Sequence, residues 1–283
     1  MKAWSSPQSD SQFIDVDGLR VHYKRAGHGP ALLLLHGSGS SLHHFERAAA
    51  LLAGSFDVIR PDLPGFGLTG PRKDRDYRIT TYAQTIAHFV RVLGAPRYAV
   101  AGNSLGGNIA WNLALDHPEP LTGLVLVNAT GYPEKEMPAG MRLMRKPLLR
   151  PILRRWMPRS AIEKNLRMAV GPNSDLVDEA MIERGYQLMS RKGNRSAFVD
   201  LVNTDQADRS GLIPRIAVPT LVLRSAGMDG QHFTRDIPGA LEQVHPDGGH
   251  LVPEEDPAWF SAAVESFLHS LPDAAASRQG GTA

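Results

Sequence analysis

The sequence contains no cysteine, and this absence excludes several kinds of site. Without thiols there is no disulfide framework, no thiolate metal site and no cysteine nucleophile. Long hydrophobic runs are also lacking, since a run such as Ala31 to Leu35 is far too short to cross a membrane. Residues 1–7 lack the apolar segment of a signal peptide. We therefore expect a protein without a membrane span that is located in the cytoplasm.

Charge of one sign is not in large excess either. The 31 Lys and Arg against 29 Asp and Glu give a formal net charge of +2, which creates no general attraction for nucleic acid. The 283 residues, 42% of them apolar, fit one large α/β domain. The His43-His44 pair has no convincing partner ligands for a metal. We expect no metal and no cofactor, a small-molecule partner, and a monomer or homodimer.

Predicted strands and helices alternate along most of the chain. The runs Phe13 to Val16 and Leu19 to Lys24 flank Asp17-Gly18 and predict a hairpin. Apolar runs at Ala31 to Leu35 and Leu121 to Asn128 are typical of strands buried on both faces. Helical segments between such runs indicate a parallel sheet covered by helices on both sides.

The alternation stops at residue 131 and resumes near residue 212. Within 131–211 no segment resembles a strand, and helices are predicted at Leu148–Trp156, Ala161–Ala169, Leu176–Ser190 and Ala197–Gln206. We interpret 131–211 as a helical cap inserted into a core domain formed by 12–130 and 212–271. Residues 1–11 and 272–283 are expected to be flexible tails.

The sequence Gly102-Asn103-Ser104-Leu105-Gly106 lies between a predicted strand and a predicted helix. A Gly-x-Ser-x-Gly motif in this context is typical of a nucleophile elbow, where a strained turn exposes the serine hydroxyl. The glycines leave room for the strand and the helix to pack closely around the serine. The motif by itself is weak, so its value depends on the rest of the chain.

Three further features follow predicted strands: His36-Gly37-Ser38-Gly39, Asp229 and His250. Ligands of open parallel sheets bind beyond the carboxyl ends of the strands, so these features and Ser104 are expected at one edge of the sheet. The chain order Ser104, Asp229, His250 is the order given for one hydrolase architecture.

Four motifs together carry a resemblance to a known family. They are His36-Gly37-Ser38-Gly39, Asp62-Leu63-Pro64-Gly65-Phe66-Gly67, Gly102-Asn103-Ser104-Leu105-Gly106-Gly107 and Gly249-His250-Leu251. Over about residues 12 to 270 the chain resembles the α/β-hydrolase fold family, in its serine-nucleophile branch with a helical cap. That branch includes esterases and carbon–carbon bond hydrolases. The resemblance implies a mostly parallel, predominantly eight-stranded twisted sheet flanked by helices.

The candidate roles follow from the chemistry of acyl transfer. A serine hydroxyl is a weak nucleophile unless a base removes its proton, and His250 is the candidate base for Ser104. Asp229 would hold the imidazole in the correct tautomer. The backbone N–H of Leu105, the residue after the nucleophile, is expected to donate to the oxyanion. By resemblance to the His-Gly-x turn of the family, the second donor is the backbone N–H of Ser38.

Two of these assignments have alternatives in the sequence. His245 is the nearest alternative to His250 as the base, but it lies inside a predicted strand and should face the core or solvent. Asp205 and Asp208 are reserve candidates for the acid, because they lie where the cap rejoins the core. The segment 230–236 is short and leaves room for about one helical turn after Asp229. Either the Asp229 loop is displaced or mobile, or a surface loop has been shortened at little cost.

The cap is rich in basic residues, with ten Lys or Arg against two acids between Lys135 and Arg167. One interpretation is a basic, apolar face that attracts anionic or acyl-chain substrates or touches a membrane surface. The other is an amphipathic cap helix whose apolar side lines the pocket, and we favour it because prolines interrupt any long membrane-binding helix. The candidate substrate-binding residues are Gly37, Asn103, Met141, Met144, Trp156 and Leu251.

These features predict a serine hydrolase that cleaves carboxylic esters with small to medium acyl or alcohol groups through an acyl-enzyme. A first alternative is a carbon–carbon bond hydrolase acting on β-diketone-like or ring-fission products. Asn103 and the Gly37-Ser38-Gly39 turn support it, whereas Leu251 opposes it, because such hydrolases typically have tryptophan there. A second alternative is a ligand-binding receptor with slow turnover. Serine rather than aspartate at position 104 argues against epoxide hydrolase and haloalkane dehalogenase chemistry.

Overall fold

The computed structural model describes residues 3–133, 139–228 and 231–272. In these ranges eight strands are present: β1 Gln12–Val16, β2 Leu19–Ala26, β3 Ala31–Leu35, β4 Asp57–Pro61, β5 Tyr98–Asn103, β6 Leu121–Val127, β7 Thr220–Ser225 and β8 Leu241–His245. They form one sheet in the order β1-β2-β4-β3-β5-β6-β7-β8. β2 is antiparallel to β1 and β4, and the other neighbouring pairs are parallel. The predicted mostly parallel, eight-stranded sheet is confirmed.

Helices flank this sheet on both faces. Those in the described ranges are α1 Glu46–Leu52, α2 Ile79–Val92, α3 Leu105–Asp116, α4 Ala139–Met144, α5 Arg150–Arg155, α6 Arg159–Ala169, α7 Glu179–Ser190, α8 Asn194–Asn203, α9 Phe233–Asp236, α10 Val252–Glu255 and α11 Pro257–Ser270. Side chains of α2 and α3 belong to the apolar cluster on one face, and those of α1 and α11 to the cluster on the other.

Strand β3 shows why an unbroken apolar run forms a central strand. Successive side chains of a strand point to opposite faces of the sheet. Leu33 and Leu35 lie in the cluster on the α2–α3 face, whereas Leu32 and Leu34 lie in the cluster on the α1–α11 face. All four side chains are fully buried, so both faces of β3 require apolar residues.

The hairpin that joins β1 and β2 has the turn expected from its sequence. Asp17 has φ 54° and Gly18 has φ 77°. A two-residue turn with positive φ at both positions matches the right-handed twist of the two strands, and Asp-Gly is a preferred pair for it.

Helices α4 to α8 occupy the chain between β6 and β7. No strand lies in the described part of 131–211, in agreement with the sequence pattern. The four predicted helices correspond to α5, α6, α7 and α8, while the six-residue helix α4 was not predicted. Helix α5 starts two residues later than expected, and Pro151 occupies its first turn, where a missing N–H costs nothing. The division of the chain into a core and a cap stays a prediction.

A buried aspartate organises the loop after β4. The Asp62 carboxylate accepts hydrogen bonds from Leu42 N at 2.8 Å, from Leu68 N at 2.7 Å and from His22 Nδ1 at 2.7 Å. Burial, the largest single effect, would raise the pKa of Asp62. The hydrogen bonds from His22 and from Leu42 N, together with the nearby His22 and His36 rings, outweigh it, and the pKa lies well below its usual range. A Cβ on Gly67 would lie 2.0 Å from this carboxylate. The Asp-Leu-Pro-Gly-Phe-Gly motif is therefore a compact turn around one charge.

The predicted tails lie partly outside the described residues, namely residues 1–2 and 273–283. From Trp4 onward the N-terminal segment contacts the rest of the protein. Trp4 N donates to Gln187 Oε1 at 2.8 Å, and Ser11 Oγ lies 2.9 Å from His22 Nε2. In the described ranges, no helix combines the length and the apolar character needed to cross a bilayer.

Candidate active site

Ser104 lies in the sharp turn between β5 and α3. Its φ of 55° and ψ of −112° fall outside the regions that non-glycine residues normally occupy. Ser104 N donates to Val127 O at 3.0 Å, and Ser104 O accepts from Asn108 N at 2.9 Å. Strained residues that the surrounding structure holds in place are typical of functional sites. The strand–turn–helix context that the motif requires is present.

Glycines beside this turn lie directly against other backbone. A Cβ on Gly102 would lie 2.2 Å from the carbonyl oxygen of Gly106. A Cβ on Gly106 would lie 2.0 Å from the carbonyl oxygen of Leu35. These distances are far below any real Cβ contact, so α3 approaches β3 and β5 as closely as only glycine permits.

The turn after β3 lies beside Ser104. A Cβ on Gly37 would lie 3.3 Å from Ser104 Cβ and 3.2 Å from Asn103 Oδ1. Gly39 has φ 74°, which favours glycine. Gly37 and Ser104 are therefore in contact, and the predicted donor residues Ser38 and Leu105 are the residues that directly follow them. Leu105 is the first residue of α3, so its N–H has no acceptor within the helix.

His36 holds this turn through a defined tautomer. The backbone N–H of Leu63 donates to His36 Nε2 at 3.0 Å, so that nitrogen is an acceptor. The proton of the neutral ring is then on Nδ1, which donates to Gly37 O at 2.8 Å. Burial lowers the pKa of His36 to about 4, although the charge of Asp62 opposes the shift. The imidazole is therefore neutral and makes both hydrogen bonds at physiological pH.

The loop that carries His250 is held by the ends of three neighbouring strands. Asn103 Nδ2, at the end of β5, donates to His250 O at 3.0 Å. Asn128 Nδ2, just after β6, donates to Gly249 O at 3.0 Å. Ser225 Oγ, at the end of β7, donates to the same oxygen at 2.6 Å. These bonds fix the backbone of 249–250 directly beside the strand that leads to Ser104.

Asn128 and Ser225 also bond to each other. Ser225 N donates to Asn128 Oδ1 at 2.9 Å, so the side-chain amide of Asn128 is oriented by β7. Asn128 itself has φ 40°, a conformation that asparagine tolerates better than most residues. The sequence analysis did not identify either residue. The signal available in the sequence was a polar residue at the end of each apolar strand run.

The end of α6 contacts the His250 loop from the other side. His250 N donates to Ala169 O at 2.6 Å. The Glu255 carboxylate accepts from Gly249 N at 3.0 Å and from Gly171 N at 2.7 Å. One carboxylate thus links the His250 loop to the segment that follows α6.

Asp229, the predicted acid, lies outside the described residues. Helix α9 after it has four residues, which confirms that this helix is reduced to one turn. The reserve candidates Asp205 and Asp208 are exposed, and Asp208 accepts hydrogen bonds from Ser210 N at 2.9 Å and Ser210 Oγ at 2.7 Å. His245 lies 3.3 Å from Asp256 and packs edge-on against the Trp259 ring, as expected for a residue outside the site.

The predicted pocket residues fall in different environments. Met144 is buried, and Met141 packs partly buried against the apolar cluster that includes α2 and α3. Leu251 packs against a small separate cluster around Met181. Trp156, which directly follows α5, is 61% exposed, so its ring faces solvent, and its role in substrate binding stays a prediction. Asn103 is buried, and its amide nitrogen bonds to Val127 O and His250 O, so it positions backbone.

Two apolar residues beside the turn were missed. A Cβ on Gly39 would lie 3.8 Å from Phe198 Cζ and 3.9 Å from Met189 Cε. The Phe198 ring also lies 6.0 Å from that of Phe66. Their helices, α7 and α8, therefore cover the turn after β3. In the sequence both residues look like ordinary core positions of a helix.

The described ranges hold no cluster of three or more His, Asp or Glu that could bind a metal ion.

We expect Gly106→Ala to destabilise the protein by about 3 kcal/mol or more, because the new methyl group overlaps the Leu35 carbonyl. Urea denaturation monitored by circular dichroism measures the change. Gly211→Ala is the matched control, since a Cβ there meets nothing within 4 Å. Equal midpoints for the two variants would contradict the close approach of α3.

Stability should also depend on the protonation of His36. In the unfolded chain its pKa is 6.5, and in the folded protein it is about 4, so only the unfolded state binds the proton between these values. The stabilisation is complete above about pH 6.5 and is lost as the pH falls towards 4. Between about pH 7.5 and pH 5 we expect a loss of about 2 kcal/mol from this group.

The control for this pH effect is His36→Gln, whose side chain cannot be protonated. Urea denaturation at both pH values compares the variant with the unmodified protein. The variant should lose about 2 kcal/mol less on acidification. An identical loss in both proteins would contradict the neutral, buried imidazole.

Comparisons with known proteins agree with this architecture. The sequence pattern described as the alpha/beta hydrolase fold matches residues 30–257. The chain is 30% identical to 2-hydroxy-6-oxononadienedioate/2-hydroxy-6-oxononatrienedioate hydrolase of Burkholderia vietnamiensis, over 91% of this chain and 95% of that protein. It is 27% identical to the hydrolase YugF of Bacillus subtilis, over 89% of this chain and 96% of that protein.

A solved structure is similar as well. It is a bacterial membrane phospholipase A, with a TM-score of 0.75 and 26% identity over 92% of this chain and 85% of that one. The sheet order, the strained serine turn and these relatives agree. The chain therefore belongs to the alpha/beta hydrolase fold family and is a hydrolase of that superfamily.

Proposed function

We propose that this protein is a serine hydrolase that cleaves carboxylic esters of small to medium size through an acyl-enzyme. The observation that carries the proposal is the strained backbone of Ser104, which stands between the turn at Gly37 and the anchored His250 loop. A serine in this conformation presents its hydroxyl at the edge of the sheet, where substrates of this fold class bind.

The reaction begins with attack of Ser104 Oγ on the ester carbonyl carbon. The His250 imidazole takes the hydroxyl proton, and Asp229 stabilises the resulting imidazolium. The tetrahedral intermediate carries a negative oxygen, which accepts hydrogen bonds from the backbone N–H groups of Ser38 and Leu105. Collapse breaks the bond to the alcohol, which leaves with the proton from His250. Water, activated by the same imidazole, then hydrolyses the acyl-enzyme.

The neutral state of His36 supports the oxyanion donors. Its Nδ1–H holds the carbonyl of Gly37, which fixes the peptide plane that contains the N–H of Ser38. Preorganised donors stabilise the developing charge without reorganising during the reaction. The 26% identical phospholipase A also acts on carboxylic esters by its name, which supports ester chemistry for this chain.

We propose that α4 to α8 act as the cap over this site. Phe198 and Met189 lie beside the turn at Gly39 and would form an apolar wall for the acyl group. Met side chains adapt their shape to several ligands, which is compatible with loose acyl specificity.

A second candidate is carbon–carbon bond hydrolysis, which the 30% identity to the Burkholderia vietnamiensis hydrolase favours. Two residues weaken it. The Asn103 amide nitrogen is occupied by Val127 O and His250 O, so it is not available to a substrate. Position 251 carries leucine rather than the tryptophan typical of hydrolases that act on ring-fission products.

Ser104→Ala should abolish multiple turnover of p-nitrophenyl acetate, butyrate and octanoate, with kcat/KM lowered roughly 10³-fold or more. Asp229→Asn should lower kcat by up to about 10⁴-fold, and Asp205→Asn should leave it unchanged, because only the former holds the imidazole tautomer. Ser270→Ala, at the end of α11, is the control for the serine substitution.

Hydrolysis of the same esters by Ser104→Ala at the rate of the unmodified protein would exclude the serine mechanism. A single burst without turnover would favour the receptor alternative. Turnover of a β-diketone but not of the esters would make carbon–carbon hydrolysis the function. If Asp205→Asn lowered kcat as much as Asp229→Asn does, the role of the acid would move to Asp205.

Asn128 and Ser225 should act as positioning residues for His250. Asn128→Gly removes the amide without adding strain at φ 40°, and Ser225→Ala removes the second donor to Gly249 O. We expect kcat to fall about tenfold or more for each variant with little change in KM, and the pH profile of kcat to shift, because the imidazole is less well placed.

The control for these variants is Asn194→Ala. Asn194 is equally buried and donates to Gly67 O at 3.0 Å and Leu188 O at 2.8 Å, away from the His250 loop. Its loss should lower stability and leave the pH profile unchanged. The same pH shift in all three variants would mean that general destabilisation, and not the position of His250, causes the effect.

A further inference from the structure

A patch of apolar side chains on α4, α5 and the residues around them faces solvent. Leu148 is 90% exposed, Trp156 61%, Ile152 55% and Leu143 43%. These four are nearly half of the nine large apolar side chains exposed in the described ranges, and they lie within 14 residues of each other. Such a concentration of exposed apolar surface usually marks an interaction site.

Three of these residues lie in α5 or directly beside it. Leu148 lies in the turn before α5, Ile152 lies within the helix, and Trp156 is the extended residue that ends it. The backbone hydrogen bonds from Leu153 N to Leu149 O and from Trp156 N to Ile152 O connect these positions to the helix. The inner side of the segment is also apolar. Met144 and Met157 are buried, and Leu153 packs partly buried against the core.

The segment therefore has two apolar sides, of which only the inner one is used within the protein. The interpretation favoured from the sequence, an apolar side towards the pocket and a basic side towards solvent, accounts for the inner side alone. Leu148, Ile152 and Trp156 on the outer side are left in water.

Basic residues are interspersed in the chain with these apolar ones. Between residues 142 and 156 the chain has six Lys or Arg and no Asp or Glu. Arg154 pairs with Asp200, but Arg145, Lys146 and Arg155 are exposed and form no ion pair with any of the described residues. Aliphatic side chains, a tryptophan and free cations on one surface are the combination that binds the interface of an anionic bilayer.

We propose that the surface formed by Leu143, Arg145, Lys146, Leu148, Ile152, Arg155 and Trp156 docks on anionic phospholipid bilayers. The apolar side chains enter the region between headgroups and acyl chains, and the three cations contact the lipid phosphates. Charge complementarity selects this occupant over a second copy of the chain. A contact of the surface with itself would bring like charges together, and such contacts are disfavoured.

This docking is separate from the chemistry at Ser104. It directs helices α4 and α5 towards the lipid and holds the protein at the membrane surface. Binding is expected in Ser104→Ala as well as in the unmodified protein. A failure of ester hydrolysis and a failure of docking are therefore distinguishable.

The test is co-sedimentation of the full chain with sucrose-loaded vesicles of phosphatidylcholine, with and without about 30% phosphatidylglycerol. The unmodified protein and Ser104→Ala are measured in parallel, so that lipid hydrolysis cannot disturb the result. We expect the partition coefficient to rise about tenfold or more with phosphatidylglycerol and to fall with added salt.

Two double variants divide the surface into its parts. Leu148→Glu with Trp156→Glu removes apolar contact, and Arg145→Glu with Lys146→Glu reverses charge. Each pair should lower the partition coefficient about tenfold or more. Leu51→Glu on α1 and Arg91→Glu on α2 are matched controls, because both residues are exposed and lie on other helices, and binding should not change. All substituted positions are exposed, so folding is retained, and circular dichroism checks it.

Several outcomes would overturn the proposal. One is no binding to vesicles of either composition, and another is equal binding with and without phosphatidylglycerol. Loss of binding in the control variants to the same extent would remove the assignment to this surface. Self-association of the unmodified protein that Leu148→Glu with Trp156→Glu abolishes, seen by light scattering, would mean that a second copy covers the surface.

Discussion

Helix α3 approaches the sheet more closely than side chains normally allow, and the position of Ser104 depends on this approach. Gly106 lies against the carbonyl of Leu35, and Gly102 against the carbonyl of Gly106. Because the helix starts directly above the strand ends, the residue that joins them must take positive φ. The same contact brings the turn after β3 beside Ser104, since that turn begins at the residue following Leu35. One backbone contact thus positions both the candidate nucleophile and the candidate oxyanion donors.

The His250 loop is positioned by a different means, namely side-chain hydrogen bonds to its carbonyl groups. Asn103, Asn128 and Ser225 stand at the ends of three adjacent strands and hold 249–250 through two oxygens. Parallel strands end at the same edge of a sheet, so polar residues at their ends can converge on one loop. This arrangement holds the backbone of the proposed base from the strand ends themselves.

The helices between β6 and β7 connect the proposed site with the surface of the molecule. On their inner side Phe198 and Met189 lie beside the turn after β3, and Ala169 O accepts from His250 N. On the outer side Ile152 of α5 and its neighbours Leu148 and Trp156 are exposed to solvent, close in the chain to several cations. A displacement of these helices would therefore reach the His250 loop directly. A lipid surface below α5 would also place the proposed acyl wall close to the source of an acyl chain.

The sequence by itself determined the features that depend on neighbours in the chain. The leucine run of β3, the Asp17-Gly18 turn, the glycines around Ser104 and the single turn of α9 follow from local sterics, strand periodicity and chain length. Tertiary structure alone decided which distant residues meet. Asn128 and Ser225 reach Gly249 O across gaps of 121 and 24 residues, and Phe198 reaches Gly39 only because α8 folds back over the sheet. The side of α5 that faces solvent was undetermined as well, because both of its sides are apolar and only packing selects between them.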